Sequence, residues 1–119
     1  MSAKGFAAVD IDPELERLAD ERLQDDRRFA ESYIHSRAGR GFGPIKIRAE
    51  LSRVGVDEAL STALLDELEI DWSERVYAAW HKKFARPASD FRERMKQARF
   101  LEYRGFTSDH IARALDTTD

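Results

Sequence analysis

The sequence contains no cysteine. This absence excludes a disulfide framework, thiolate catalysis and a cysteine-ligated zinc site. The sequence also has no apolar run long enough to cross a membrane, and the apolar stretch near the N-terminus is too short for a secretory signal. We therefore expect a cytoplasmic protein in which residues 1–11 form a disordered lead-in.

Recognisable catalytic and metal-binding patterns are missing too. The three histidines, His35, His81 and His110, form no metal-ligand pattern, and we expect them at the surface. No nucleophile elbow and no acid–base pair stands out among the many carboxylates. The sequence predicts no enzyme, no bound metal and no cofactor.

The net charge of −3 conceals alternating blocks along the chain. Residues 27–53 carry seven basic and two acidic side chains, and residues 75–106 carry nine basic and three acidic ones. Between them, residues 54–74 carry seven acidic side chains and no basic one. Such blocks are typical of ordinary solvated helix faces, but they also allow separate basic and acidic faces once the helices stack.

Proline, glycine and capping residues mark the ends of seven predicted helices. Asp12 followed by Pro13 indicates one helix start, and Asp25 or Asp26 indicates the next. No segment alternates with the period of a strand. The predicted helices cover about residues 12–23, 25–39, 44–55, 57–68, 71–84, 89–105 and 107–118.

One segment occurs twice. Leu51 and Gly55 correspond to Leu101 and Gly105, fifty residues later. Repetition at this period is typical of tandem supersecondary units that bury their apolar faces against each other. The sequence predicts an elongated, curved all-α array, with a remnant helix of a preceding repeat at residues 12–24 and three-helix repeats at 25–70 and 71–119.

Five segments around these helix ends form a recognisable pattern over about residues 25–116: Asp25–Ala30, Gly41–Pro44, Ile47–Leu51, Asp71-Trp72 and Arg99–Phe106. This pattern resembles the RecX family of bacterial RecA regulators. It implies tandem three-helix units that lie along the groove of a RecA–DNA filament. There they would inhibit strand exchange, ATP hydrolysis and coprotease activity, and so affect recombination, DNA repair and the SOS response. Family members usually have three repeats, whereas this chain matches two.

Candidate contact residues lie on the second helix of each repeat. In the second repeat, spacings of 4, 3 and 4 place four side chains on one helix face: Arg92, Lys96, Arg99 and Tyr103. This face points away from Met95, which is expected to point inward with Phe91. Lys46, Glu50 and Arg53 occupy the matching face in the first repeat. The candidate RecA- or DNA-facing residues are Lys46, Arg53, Arg92, Lys96, Arg99 and Tyr103. The candidate architectural residues are Gly41, Gly43, Pro44, Gly55 and Gly105.

A direct, non-specific DNA-binding protein is the alternative interpretation. Residues 47–65 could form a helix-turn-helix, but the helix from Asp57 to Leu68 would be the recognition helix. That helix carries four carboxylates and no basic residue, so DNA phosphates would repel it. Contact with single- or double-stranded DNA through the second helices stays open. We expect a monomer whose main partner is the RecA filament.

Overall fold

The computed structural model describes residues 13–118, and within that range it contains six α-helices and no strand. The predicted all-α class is confirmed. The molecule is elongated, with extents of 65 × 21 × 19 Å. The predicted lead-in at residues 1–11 lies outside the described residues. The helices are α1 (Pro13–Gly39), α2 (Pro44–Arg53), α3 (Glu58–Glu67), α4 (Trp72–Lys83), α5 (Phe91–Tyr103) and α6 (Ser108–Thr118).

The first two predicted helices are one continuous helix, so the expected break at Asp25 or Asp26 is wrong. α1 spans 27 residues, about 40 Å of helix. No glycine or proline interrupts it between residues 14 and 38. The carboxylate of Asp25 pairs with Arg28 one turn later instead of capping a new helix. Residues 20–25 are exposed, and burial begins near Ala30.

Two hydrophobic cores lie along the molecule. The first is enclosed by α1, α2 and α3, and the second by α4, α5 and α6. Trp72 packs against both cores and links them. Central residues of the first core are Ala30, Ile34, Ile47, Leu51 and Leu64. Central residues of the second are Val76, Trp80, Leu101, Phe106 and Leu115.

The duplicated segment has the same backbone conformation in both copies. Gly55 has a φ of +96°, and the N–H of Val56 donates to the carbonyl oxygen of Leu51 at 3.0 Å. Gly105 has a φ of +97°, and the N–H of Phe106 donates to Leu101 at 3.2 Å. This is the glycine-terminated helix end in which the residue after glycine packs back on the helix. The repeated sequence therefore forms the same type of helix C-terminus twice, at the ends of α2 and α5.

The side chains of Phe91, Met95 and His110 differ from the sequence interpretation. Phe91 and Met95 point outward, and Phe91 is 75% exposed. The reason is that the buried face of α5 is centred on Gln97 and Leu101. His110 is partly buried instead of lying free on the surface. Its ring lies 6.3 Å from the rings of Trp72 and Phe106, and burial lowers its pKa.

Candidate interaction surface

The basic residues predicted on α5 share one exposed face. At 100° per residue, positions 92, 96, 99 and 103 fall within roughly 60° of one another on a helix. The opposite side of α5 carries the buried Gln97 and Leu101. Tyr103 is 78% exposed and lies beside Arg99 and Glu102 around a shallow depression. The structure therefore brings Arg92, Lys96, Arg99 and Tyr103 together on one side of one helix.

A reciprocal cap fixes the start of α5. The carboxylate of Asp90 accepts a hydrogen bond from the N–H of Glu93 at 2.8 Å. The Glu93 carboxylate in turn accepts bonds from the N–H and the hydroxyl of Ser89, both at 2.9 Å. These bonds from Ser89 lower the pKa of Glu93. The cap satisfies the N–H of Glu93, one of the groups that the first helical turn leaves without partners, and ties Ser89 to the helix.

A buried amide holds α5 against α4. The indole N–H of Trp80 donates to the side-chain oxygen of Gln97 at 2.9 Å. The amide nitrogen of Gln97 donates to the backbone oxygen of Arg86 in the connecting loop at 3.1 Å. Because both polar ends of Gln97 are satisfied, this buried side chain can orient the helix without the cost of an unpaired group.

The end of α5 is joined directly to the start of α2. The N–H of Gly43 donates to the carbonyl oxygen of Arg104 at 2.7 Å, and the N–H of Ile45 donates to that of Gly105 at 3.0 Å. Pro44, the first residue of α2, has no N–H to satisfy. Free N–H groups of one helix start thus meet free carbonyl groups of another helix end, where the partial charges attract.

Two glycines make this junction possible. A Cβ built on Gly43 would lie 2.4 Å from the carbonyl oxygen of Gly105. A Cβ built on Gly105 would lie 2.4 Å from the Cβ of Lys46. Neither position has room for a side chain. A Cβ built on Gly55 would have no neighbouring atom within 4 Å. A Cβ built on Gly41 would lie 3.6 Å from the Cβ of Ala79, which is an ordinary contact distance.

The junction places the candidate residues of α2 after those of α5. Lys46 is packed against Gly105, two positions after Tyr103. Arg53 is exposed near the far end of α2, seven residues or about 10 Å beyond Lys46. The six candidates therefore follow one another along two helices that meet end to end.

Glu50 does not belong to this exposed face. Its carboxylate accepts two hydrogen bonds from Arg37, at 2.8 and 3.0 Å, and one from the hydroxyl of Tyr33 at 2.8 Å. Burial acts to raise the pKa of Glu50, but the bonds from Arg37 and Tyr33 lower it below its usual value. Burial and the bond to Glu50 raise the pKa of Tyr33. Glu50 thus joins α2 to α1.

Phe42 and Arg104 have a role that the sequence interpretation misses. The ring of Phe42 contacts two guanidinium groups, with its centroid 3.8 Å from that of Arg37 and 4.6 Å from that of Arg104. Arg104 also lies 5.2 Å from the ring of Phe100. These cation–π contacts run across the junction. The sequence contains one signal for this role, because Phe42 is an aromatic residue between Gly41 and Gly43.

The described part of the chain contains no cluster of three or more metal-ligating side chains. Among residues 13–118, no helix is both long and apolar enough to span a bilayer.

Comparison with known proteins identifies the family. Residues 25–65 match the second three-helix domain of RecX, and residues 69–115 match the third. A regulatory protein RecX from Pseudomonas putida strain GB-1 is 48% identical over 111 residues, which cover 92% of this chain and 70% of that protein. The Pseudomonas entomophila protein of the same name is 44% identical over 111 residues, covering 92% of this chain and 71% of that protein. The Chromohalobacter salexigens protein is 43% identical over 115 residues, covering 97% and 76%. The chain belongs to the RecX family.

Proposed function

We propose that the chain is a regulatory protein that binds the RecA–DNA filament and inhibits the recombinase, ATPase and coprotease activities of RecA. Membership of a family whose relatives are named regulatory proteins carries the proposal. Inhibition of RecA would affect recombination, DNA repair and the SOS response. The chain would act as a cytoplasmic monomer without catalytic chemistry of its own.

The exposed face of α5, with the candidate residues of α2 beyond its end, supports a long, shallow contact. The two helices contain 13 and 10 residues, which correspond to about 35 Å of helix laid end to end. Of the six candidates along them, five are cations and one is an exposed tyrosine. Arginine and tyrosine often contribute most to the free energy of protein–protein binding. An elongated basic surface suits the groove of a filament better than a small-molecule site.

The helix-turn-helix alternative is weaker in the folded chain. Its recognition helix would be α3, which contains Glu58, Asp66 and Glu67 and no basic residue. Phosphate groups in a DNA groove would be repelled by this helix. Any contact with DNA must therefore use another part of the molecule.

Charge reversal on α5 tests the proposal. We expect the triple variant Arg92→Glu, Lys96→Glu, Arg99→Glu to weaken inhibition of filament ATPase activity by about tenfold or more in the concentration needed, since repulsion replaces attraction at three neighbouring positions. The measurement is ATP turnover during titration of the chain into preformed RecA filaments.

The matched control reverses three exposed cations elsewhere, at Arg22, Arg28 and Arg48. Its inhibition should stay near that of the unmodified chain, and both variants should keep the parent's thermal unfolding. Equal inhibition by the α5 variant and the parent would remove the α5 assignment. No change in ATPase activity at any concentration of the parent would reject the proposed function itself.

A further inference from the structure

A basic cleft lies between the two halves of the molecule, away from the exposed face of α5. It has a volume of about 320 Å³ and is bounded by the end of α1, one side of α4 and the end of α5. Small residues form much of its wall, which leaves room for a ligand to approach the backbone. These are Ala38, Gly39, Gly41, Ala78 and Ala79.

Every charged side chain that lines this cleft is a cation. They come from three separate segments, and no carboxylate is among the lining residues. In the part of the chain that the structure describes, none of the five forms an ion pair. The five cations are Arg40, Arg75, Lys82, Lys83 and Arg104.

The negative ends of helix dipoles offset only part of this positive charge. Lys82 and Lys83 lie in the last turn of α4, and Arg40 follows the end of α1, where a positive charge is favourable. Each helix end contributes a partial charge of only about −0.5. With the end of α5 at Arg104, three such ends offset about one and a half of the five positive charges, so the cleft retains an attraction for anions.

Aromatic rings hold part of the cleft in place before any ligand binds. The guanidinium of Arg104 lies within 4.6 Å of the centroid of Phe42 and 5.2 Å of that of Phe100. The ammonium of Lys83 lies 5.5 Å from Phe100, which in turn packs edge-on against Phe84. A side chain that is already ordered loses less entropy on binding. A planar guanidinium also forms paired hydrogen bonds to phosphate oxygens and can stack on an unpaired base.

We propose that this cleft binds the phosphate backbone of single-stranded DNA. A groove that combines cations with aromatic or guanidinium planes is the usual arrangement for unpaired nucleic acid. Phosphates that reach the cleft meet cations from α4 and from the chain just after the ends of α1 and α5, so binding also links the two halves of the molecule. The proposal does not depend on contact with RecA.

The test titrates the chain alone against a labelled oligothymidylate and follows fluorescence anisotropy. We expect the cleft variant Arg75→Gln, Lys82→Gln to weaken binding by about tenfold, and the slope of log affinity against log salt to fall by roughly 1.4, since two phosphate contacts to a single strand are lost. The control variant Arg48→Gln, Arg86→Gln removes the same charge from exposed positions outside the cleft. It should lose less than about threefold.

Both variants should unfold at the same temperature as the parent, which separates lost contacts from lost folding. Unchanged DNA affinity in the cleft variant, or an equal loss in the control, would overturn the proposal. A soluble oligoglutamate peptide that displaces the DNA as effectively as unlabelled oligothymidylate would also overturn it, since the cleft would then take acidic protein segments. These outcomes are independent of any effect on RecA ATPase activity.

Discussion

At the scale of single residues, the carboxylate of Glu50 joins two helices through three hydrogen bonds. It accepts hydrogen bonds from Arg37 and Tyr33 on α1 while only 17% of its side chain is exposed. Sequence periodicity places Glu50 beside Lys46 and Arg53, because these positions share one side of a helix. Periodicity does not show which of these α2 residues faces α1. In the folded chain that residue is Glu50.

We expect Glu50→Gln to lower the free energy of unfolding by about 2 kcal/mol at pH 7, because Arg37 keeps its charge in a half-buried position and loses its charged partner. The loss should shrink on acidification. The folded-state pKa of Glu50 lies below its ordinary value of 4.5, so its stabilisation is present above pH 4.5 and disappears as the pH falls through the folded pKa.

Urea unfolding of parent and variant across pH 3 to 7 measures this difference. Glu31→Gln is the matched control, because its carboxylate pairs with Arg27 at 3.4 Å on an exposed helix surface. A pair of that kind contributes about 0.5 kcal/mol or less. Equal losses in the two variants, or a Glu50→Gln difference that persists unchanged at pH 3, would contradict the role given to Glu50.

At the scale of helices, the junction between α5 and α2 sets the order of the candidate contact residues. We expect Gly105→Ala to destabilise the chain more than Gly55→Ala. Both replacements place a side chain at positive φ, which costs roughly 1–2 kcal/mol. Only Gly105→Ala also drives a methyl group into Lys46, which adds roughly 1–3 kcal/mol of overpacking.

Chemical denaturation of the two variants measures the difference, and Gly55→Ala supplies the control for backbone strain alone. Equal destabilisation would mean that the end-to-end junction contributes nothing beyond the helix stop itself.

The sequence predicts where α2 and α5 end, but not the junction between the end of α5 and the start of α2. Gly55 and Gly105 occur in the same repeated pattern, and local rules correctly end both helices there. Local rules do not distinguish them, although one glycine faces open space and the other touches Lys46. The contact joins Gly43 to a residue 62 positions later, and a single sequence contains no signal for such a pairing. The helix break expected at Asp25 is absent from the structure. Here the sequence does contain a local cap signal, but the surrounding uninterrupted helical stretch outweighs it.

At the scale of the whole molecule, the all-α architecture and the candidate face on α5 follow from periodicity and spacing. The basic cleft does not, because its five cations come from segments that are distant in sequence and meet only when the two cores stack. Charge blocks along the sequence indicated that basic faces were possible. They did not indicate that Arg75, Lys82 and Arg40 would line one concave surface.

The proposed function depends most on contact between the exposed face of α5 and the filament. Because the chain has no cysteine, a single one can be introduced as a chemical probe. Arg99→Cys places it on that face, and Thr62→Cys places the control on the exposed side of the acidic helix α3. The measurement is the rate of thiol modification with and without preformed RecA–DNA filament. We expect the filament to slow modification at Arg99→Cys by about tenfold or more and to leave Thr62→Cys within about twofold, since a contact excludes the reagent only where the surfaces meet. Equal rates at Arg99→Cys with and without filament, or protection at Thr62→Cys alone, would contradict the account.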